Sequence, residues 1–155
     1  MRAMVLGGAG GMGQGVARDL IKQQQVTNLV LGDLYPDPAR LAPKLRDSEK
    51  VKLIKMDVND HGGMVSAFKE TDVVINCAGP FYKTAVPVAK AAVEAKVNYI
   101  DICDDYEGTE ILFNSEIDKL AKEAGITKEE VDAVVLRRYE QYLKALENDQ
   151  WEKDV

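Results

Sequence analysis

Five glycines stand among the seven residues from Gly7 to Gly13, between an apolar run and a segment with helical periodicity. Glycine interrupts strands and helices alike, so this density indicates backbone that must approach another group closely. Gly8, Gly10 and Gly13 fit the spacing G-x-G-x-x-G. Where this spacing follows a strand and opens a helix, the free backbone N–H groups and the positive end of the helix can hold a pyrophosphate.

Each motif glycine has a predicted task. Gly8 permits the tight turn, Gly10 lets the backbone touch the pyrophosphate, and Gly13 lets the helix pack close to the sheet. Gly11 and Met12, which lie between them, complete the predicted phosphate-binding segment. A glycine-rich turn without any ligand is the alternative, and the context along the chain favours the binding site.

An acidic residue ends the second predicted strand, "NLVLGD". Asp33 follows Gly13 by about 20 residues, the separation at which a carboxylate can accept hydrogen bonds from the adenosine ribose. A carboxylate there repels a 2'-phosphate, and no arginine follows it directly, so NAD is favoured over NADP. Arg40 lies further along the same loop and could still reach a phosphate. An ordinary turn residue is the alternative for Asp33.

Two more strand ends point to the same ligand. Asp57 and Val58 follow the third predicted strand, where an adenine ring needs one polar contact and one apolar surface. Ala78 and Gly79 follow the fourth strand and leave room for a cofactor to cross the sheet, and Pro80 fixes the next loop beside the nicotinamide. Taken singly, each could be a packing or turn residue, but together they mark one crevice at a topological switch point.

These residues need a framework that brings the strand ends together. Short β-rich runs alternate with helical patterns along the chain, and strands such as "VVIN" read as continuous apolar runs, as in parallel strands covered on both faces. The pattern predicts an α/β fold, a doubly wound parallel (Rossmann) sheet with strand order 3-2-1-4-5. The predicted strands are Met4–Leu6, Asn28–Leu31, Val51–Met56, Val73–Asn76 and Asn98–Ile102. The predicted helices are Met12–Lys22, Pro38–Arg46, Met64–Glu70, Ala85–Ala95 and Glu110–Ala124.

Composition excludes other classes of function. The chain has 155 residues and a formal net charge of −6, which argues against nucleic acid or an anionic membrane surface as a partner. Two cysteines and one histidine do not make a structural metal site, so no metal is expected. We expect a cytoplasmic protein, because no apolar stretch approaches a membrane span and no signal-peptide pattern opens the chain.

From Met4 to Thr127 the sequence resembles the amino-terminal cofactor domain of the saccharopine dehydrogenase-like oxidoreductases. The most specific elements are "GPFY", the helical segment after it, and "YIDICDD". The resemblance implies a nicotinamide-dependent dehydrogenase or reductase that acts on C–N bonds of amino-acid-derived substrates. It also implies cofactor contacts at matching positions, namely Gly8, Gly10, Gly13, Asp33, Asp57, Val58, Ala78 and Gly79.

The sequence departs from that family after Thr127, where the family continues into a substrate domain and this chain enters a polar segment. We therefore predict a dinucleotide-binding domain over residues 1–127 and an amphipathic helix over 128–155, opened by a capping box of Thr127 and Glu130. No catalytic residue is predicted. The helix covers a flank of the sheet or forms a homodimer, and a second chain carrying the substrate domain is the other predicted partner.

Other readings of the function remain open. The chain is a binding domain that is incomplete as a catalyst, a non-catalytic NAD-binding regulator, or an engineered or truncated Rossmann scaffold. A complete short-chain reductase is disfavoured because none of the tyrosines has a lysine four residues later, which that chemistry needs to lower the tyrosine pKa.

Overall fold

The computed structural model describes residues 1–103 and 106–125, in which five parallel strands form one sheet. The strands are β1 (Arg2–Leu6), β2 (Asn28–Asp33), β3 (Val51–Lys55), β4 (Val73–Asn76) and β5 (Asn98–Asp101). The helices are α1 (Gly11–Leu20), α2 (Pro43–Arg46), α3 (His61–Phe68), α4 (Phe81–Ala95), α5 (Tyr106–Phe113) and α6 (Ile117–Glu123), with a 3₁₀ turn at Pro38–Arg40. The order β3-β2-β1-β4-β5 confirms the predicted topology.

The central strand β1 separates two cores, one on each face of the sheet. Ala3 and Val5 pack with α1 and α2, whereas Met4 and Leu6 pack with α3 and α4. All four side chains are at most 2% exposed, and full burial of a valine, leucine or methionine side chain contributes roughly 1.5–3 kcal/mol. Coverage on both faces explains the uninterrupted apolar run and confirms the doubly wound α/β fold.

Each of two predicted helices is replaced in the structure by two shorter elements, because a residue within it interrupts the helical hydrogen bonds. Pro38–Arg46 is a 3₁₀ turn followed by α2, since Pro43 cannot donate a helical hydrogen bond and instead begins a new helix. The single helix predicted over Glu110–Ala124 is wrong, because α5 ends at Phe113 and α6 begins at Ile117. Between them the Ser115 hydroxyl donates to the Leu112 carbonyl at 2.6 Å and accepts from the Ile117 N–H at 3.4 Å, so it competes with the helical pattern.

Helix α4 begins four residues before the predicted Ala85. Pro80 is its N-cap in extended conformation, and the Pro80 carbonyl accepts from the N–H groups of Lys83 and Thr84 at 3.0 and 3.2 Å. The peptide bond between Gly79 and Pro80 is cis. The early start places the first turn of α4 directly beside the end of β4.

Backbone contacts divide the chain between Leu120 and Ala121. The predicted domain boundary after residue 127, its capping box and the predicted helix over 128–155 lie outside the described residues and stay predictions.

Candidate functional site

A cavity of about 430 Å³ opens along the carboxyl ends of β1 to β4. Strand β1 has β2 on one side and β4 on the other, so successive crossovers leave it in opposite directions and the cavity lies at the topological switch point. The predicted site residues that line it are Gly10, Asp33, Asp57, Val58, Ala78, Gly79 and Pro80. The structure therefore brings together the ends of the strands that the sequence singles out.

The glycine loop is shaped by close contacts between backbone segments. Gly7 has a φ of 68°, and a Cβ on it would lie 2.8 Å from the Cys77 carbonyl oxygen. A Cβ on Gly8 would lie 2.7 Å from the Leu31 Cβ, and one on Gly13 would overlap the Gly7 carbonyl oxygen. The motif assigns the tight turn to Gly8, but Gly7 has the left-handed conformation, and Gly8 instead allows close packing on β2.

The start of α1 presents backbone donors that have no partner within the helix. Gly10 is the N-cap, and the first helical hydrogen bond runs from the Gln14 N–H to the Gly10 carbonyl at 2.9 Å. The N–H groups of Gly11, Met12 and Gly13 precede that bond, and the first turn contains no acidic residue. Gly11 and Met12 are exposed, and space around the Gly11 Cβ position is open to 4 Å. Donors at a positive helix end fit an anionic diphosphate.

Asp33 is held in place by the chain itself. Its Oδ2 accepts from the Ala9 N–H at 3.0 Å, and its Oδ1 accepts from the Tyr35 N–H at 3.1 Å. The side chain is half-buried and lines the cavity. Each carboxylate oxygen has a second lone pair, so both can still accept from ligand hydroxyls.

Gln14 joins the glycine loop to the segment after β2. Its Nε2 donates to the carbonyls of Ala9 and Arg40, both at 3.0 Å, and its Oε1 accepts from the Ala42 N–H at 2.8 Å. Arg40, which lines the cavity, is thereby fixed through its backbone near the end of β2 where Asp33 lies. No spacing rule in the sequence marks Gln14, because its partners Arg40 and Ala42 lie 26 and 28 residues away.

The end of β3 carries a turn stabilised by Asp57. Its Oδ1 accepts from the backbone N–H and from the side-chain amide of Asn59, at 2.8 and 2.9 Å. Val58 packs partly against the core shared with α3 and α4. Asn59 also lines the cavity and is exposed, so a polar group at this end comes from a residue that the sequence does not single out.

The β4 end forms the opposite side of the cavity. The Ala78 N–H donates to Asn76 Oδ1 at 3.0 Å, and the Ala78 carbonyl accepts from the Thr84 hydroxyl at 2.6 Å. Lys83 and Thr84 line the cavity from the first turn of α4, and only the position of that turn, once known, brings them into the site. Burial raises the pKa of the Cys77 thiol above its ordinary value, which disfavours the thiolate.

Metal ligands and membrane spans give no further candidates among the described residues. Within residues 1–103 and 106–125, no three side chains of the His, Cys, Asp and Glu types converge to hold an ion. In the same part of the chain, none of the helices combines the length and hydropathy needed to cross a bilayer.

A family model described as the saccharopine dehydrogenase NADP binding domain matches residues 3–153. The chain belongs to this family. Among curated relatives, the saccharopine dehydrogenase-like oxidoreductase of Rattus norvegicus is 24% identical over 123 residues, which are 70% of this chain and 29% of the relative. Its Mus musculus counterpart is 29% identical over 75 residues, 48% of this chain and 18% of the relative. The chain thus spans less than a third of either relative.

Solved structures support the fold of this saccharopine dehydrogenase-like domain. Apo saccharopine dehydrogenase (L-Glu forming) from Saccharomyces cerevisiae matches with a TM-score of 0.57 and 22% identity, over 72% of this chain and 23% of that one. DesIV, a dTDP-glucose 4,6-dehydratase from Streptomyces venezuelae with NAD and TYD bound, matches with a TM-score of 0.56 and 22% identity, over 64% and 38% of the two chains. A short-chain dehydrogenase/reductase from Veillonella parvula in complex with NADP gives 0.54 and 20%, over 64% and 46%.

The family match confirms the resemblance carried by "GPFY" and "YIDICDD". The chain is an NAD(P)-binding domain of the saccharopine dehydrogenase-like oxidoreductases. The family description names NADP, whereas the neighbouring folds hold NAD or NADP. A nicotinamide dinucleotide is therefore the supported cofactor, without a choice between its two forms.

Proposed function

We propose that this domain binds NAD in preference to NADP in the cavity at the strand ends. The observation that carries the proposal is the Asp33 carboxylate, whose two oxygens are held by the N–H groups of Ala9 and Tyr35. Moving the carboxylate away from a 2'-phosphate would break both hydrogen bonds, and leaving it in place would set two negative charges side by side. The hydroxyls of an unphosphorylated ribose suit a fixed pair of acceptors.

The cavity divides into parts that match the parts of a dinucleotide. Gly10 in the cavity lining receives the diphosphate together with the positive end of α1, where Gly11 and Met12 are exposed, while Gly8 and Gly13 allow the packing that places that end. Asp33 receives the adenosine ribose, and Asp57 and Val58 lie on the adenine side. Ala78, Gly79 and Pro80 form the surface for the nicotinamide half.

The reaction proposed is the transfer of hydride between the nicotinamide and a carbon of a C–N bond in an amino-acid-derived substrate. Support comes from the family and from the curated relatives, which are named as oxidoreductases. We assign no catalytic residue to the cavity, and the groups that hold the substrate come from outside its lining.

A second chain or a second copy of this one is the proposed partner. Light scattering of the purified chain, with and without NAD, tests for the second copy. A cytoplasmic location is likewise a proposal.

Calorimetric titration of the full chain with NAD and NADP tests the cofactor proposal. We expect tighter binding of NAD, and Asp33→Ala should weaken it by about tenfold to a hundredfold, because a hydrogen bond to a charged group contributes about 1.5–3 kcal/mol. Asp33→Asn, which keeps an acceptor but removes the charge, should narrow the preference over NADP. Asp19→Asn makes the same chemical change on an exposed face of α1 and should leave both affinities unchanged.

Two results would overturn the proposal. Tighter binding of NADP that Arg40→Ala abolishes would assign the 2'-phosphate to Arg40 and refute the preference for NAD. Failure of the folded wild-type chain to bind either dinucleotide would refute the site as a whole.

A further inference from the structure

A chain of hydrogen bonds runs behind the β4 side of the cavity. Asn76, the last residue of β4, is 0% exposed, and its Oδ1 accepts from the Ala78 N–H at 3.0 Å. Its Nδ2 donates to the Tyr99 hydroxyl at 3.3 Å, and that hydroxyl donates to Asp101 Oδ2 at 3.0 Å. The amide of Asn76 thus joins the turn that lines the cavity to two side chains of β5.

The far end of this network is itself fixed. Asp101 Oδ1 accepts from the Cys103 N–H at 3.1 Å, and Asp101 is the register partner of Asn76 in the sheet. Burial, together with the nearby Asp101 carboxylate, raises the pKa of Tyr99 above its ordinary value, so the hydroxyl keeps the proton that it donates. The network is part-buried, and hydrogen bonds between successive side chains restrict its members to one arrangement.

The turn is held from the α4 side as well. The Thr84 hydroxyl donates to the Ala78 carbonyl at 2.6 Å, so Ala78 is bound through its N–H by Asn76 and through its carbonyl by Thr84. Ala78, Gly79 and Pro80, which we call the β4 wall, all line the cavity. Its position therefore depends on groups of β4, β5 and α4.

The adenosine side uses other anchors. Asp33 is bound to Ala9 and Tyr35, and Gln14 is bound to Ala9, Arg40 and Ala42. None of these residues takes part in the hydrogen bonds of Asn76, Tyr99 and Asp101 described above. The two halves of the cavity are thus fixed by separate sets of hydrogen bonds, so a change in one set can leave the other intact.

We propose that Asn76 and Tyr99 are positioning residues that hold the β4 wall in place for the nicotinamide half of the dinucleotide. The inference rests on the proposed function, since it assigns a part of the same site. A wall already fixed before binding does not have to be ordered by the ligand, and this preorganisation adds to affinity. Loosening the wall removes that contribution for the nicotinamide half alone.

Titration of the full chain with NAD and with ADP-ribose, which lacks the nicotinamide, distinguishes a role at the nicotinamide from an effect on the whole binding site. In Tyr99→Phe we expect NAD affinity to fall by at least about fivefold while ADP-ribose affinity stays within about twofold. Tyr106→Phe makes the same change at a tyrosine that is 79% exposed and should leave both affinities unchanged. Unfolding in urea, followed by circular dichroism, shows whether each variant is folded.

Other results of the titration would overturn the positioning role or the proposed function. Equal weakening of both ligands, or no weakening of either, would overturn the positioning role. So would equal affinity of the wild-type chain for NAD and ADP-ribose, since the nicotinamide ring would then contribute nothing to binding. Failure of the wild type to bind either ligand would instead refute the proposed function and the inference with it. If Tyr99→Phe does not fold, Thr84→Val removes the other anchor of Ala78 and must give the same selective loss.

Discussion

Gly13 and Gly15 lie two residues apart in α1 but in opposite surroundings, and the same substitution should therefore have opposite effects. A Cβ on Gly13 would overlap the Gly7 carbonyl oxygen and lie 2.8 Å from the Gly8 Cα, and both of these are backbone atoms. A Cβ on Gly15 would meet nothing within 4 Å. Alanine at Gly13 must displace the glycine loop, whereas alanine at Gly15 only restricts the unfolded chain.

The magnitudes follow from these two surroundings. Overpacking in a close-packed interior costs about 1–3 kcal/mol, and alanine gains roughly 0.5–1 kcal/mol over glycine in a helix. The net loss in Gly13→Ala is therefore up to about 2.5 kcal/mol, and larger if the loop cannot shift. Gly15→Ala should instead raise the free energy of unfolding by roughly 0.5–1 kcal/mol.

Urea unfolding followed by circular dichroism measures both variants against the wild type. With a slope of about 2 kcal/mol per molar urea, the midpoints of the two variants should differ by roughly 0.2–2 M, with Gly13→Ala the lower. Equal midpoints for Gly13→Ala and Gly15→Ala would refute the close approach of α1 to the glycine loop. A Gly15→Ala chain less stable than the wild type would refute the open space around that position.

Two further predictions concern side chains away from the ligand. Gln14→Ala should lower the free energy of unfolding by about 1–3 kcal/mol, because it removes three hydrogen bonds to backbone groups, and urea unfolding beside the exposed control Gln24→Ala should show the difference. Hydrogen bonds from the side chain and the backbone N–H of Arg2 hold the pKa of Asp72 below its usual 3.8. The stability that this contact contributes is therefore complete above pH 3.8 and is lost as the pH falls through the lowered pKa. Asp72→Asn should therefore flatten the acid side of a stability profile, and an unchanged slope below about pH 4 would contradict this.

The sequence predicts the fold where local pattern and tertiary structure agree. Val73 and Ile75 of β4 pack in one core of the sheet and Val74 packs in the other, so burial on both faces keeps the first three residues of "VVIN" apolar, and the strand is predicted with the bounds that the structure has. Asp33 is predicted at the end of the second strand, and the structure has it there and in the cavity lining, because the spacing of a βαβ unit fixes where that strand ends. In these places one physical cause acts on the sequence and on the structure.

The prediction fails where a side chain bonds to backbone groups that the local sequence pattern does not indicate. Ser115 divides a helix because its hydroxyl donates and accepts hydrogen bonds within its own turn. The sequence pattern does not show whether a serine will continue a helix or interrupt it in this way. Gln14 is a good helix former in a helix, and its three backbone partners come together only after β2 and the segment following it have packed. The left-handed turn at Gly7 rather than Gly8 is likewise set by the approach of Cys77.

Gly8 and Ala9 join the glycine loop to the neighbouring elements by hydrogen bonds. Its N–H donates to Asp33 Oδ2 and its carbonyl accepts from Gln14 Nε2, while the Gly8 N–H donates to the Gly32 carbonyl at 3.2 Å. Three bonds from two adjacent residues thus join the loop to β2 and to α1. The N–H groups at the start of α1 have no partner within the helix, and Asp33, which lines the cavity, keeps further lone pairs that can accept from a ligand. Because hydrogen bonds within the protein already hold the glycine loop, we expect that a dinucleotide has to order little backbone when it binds.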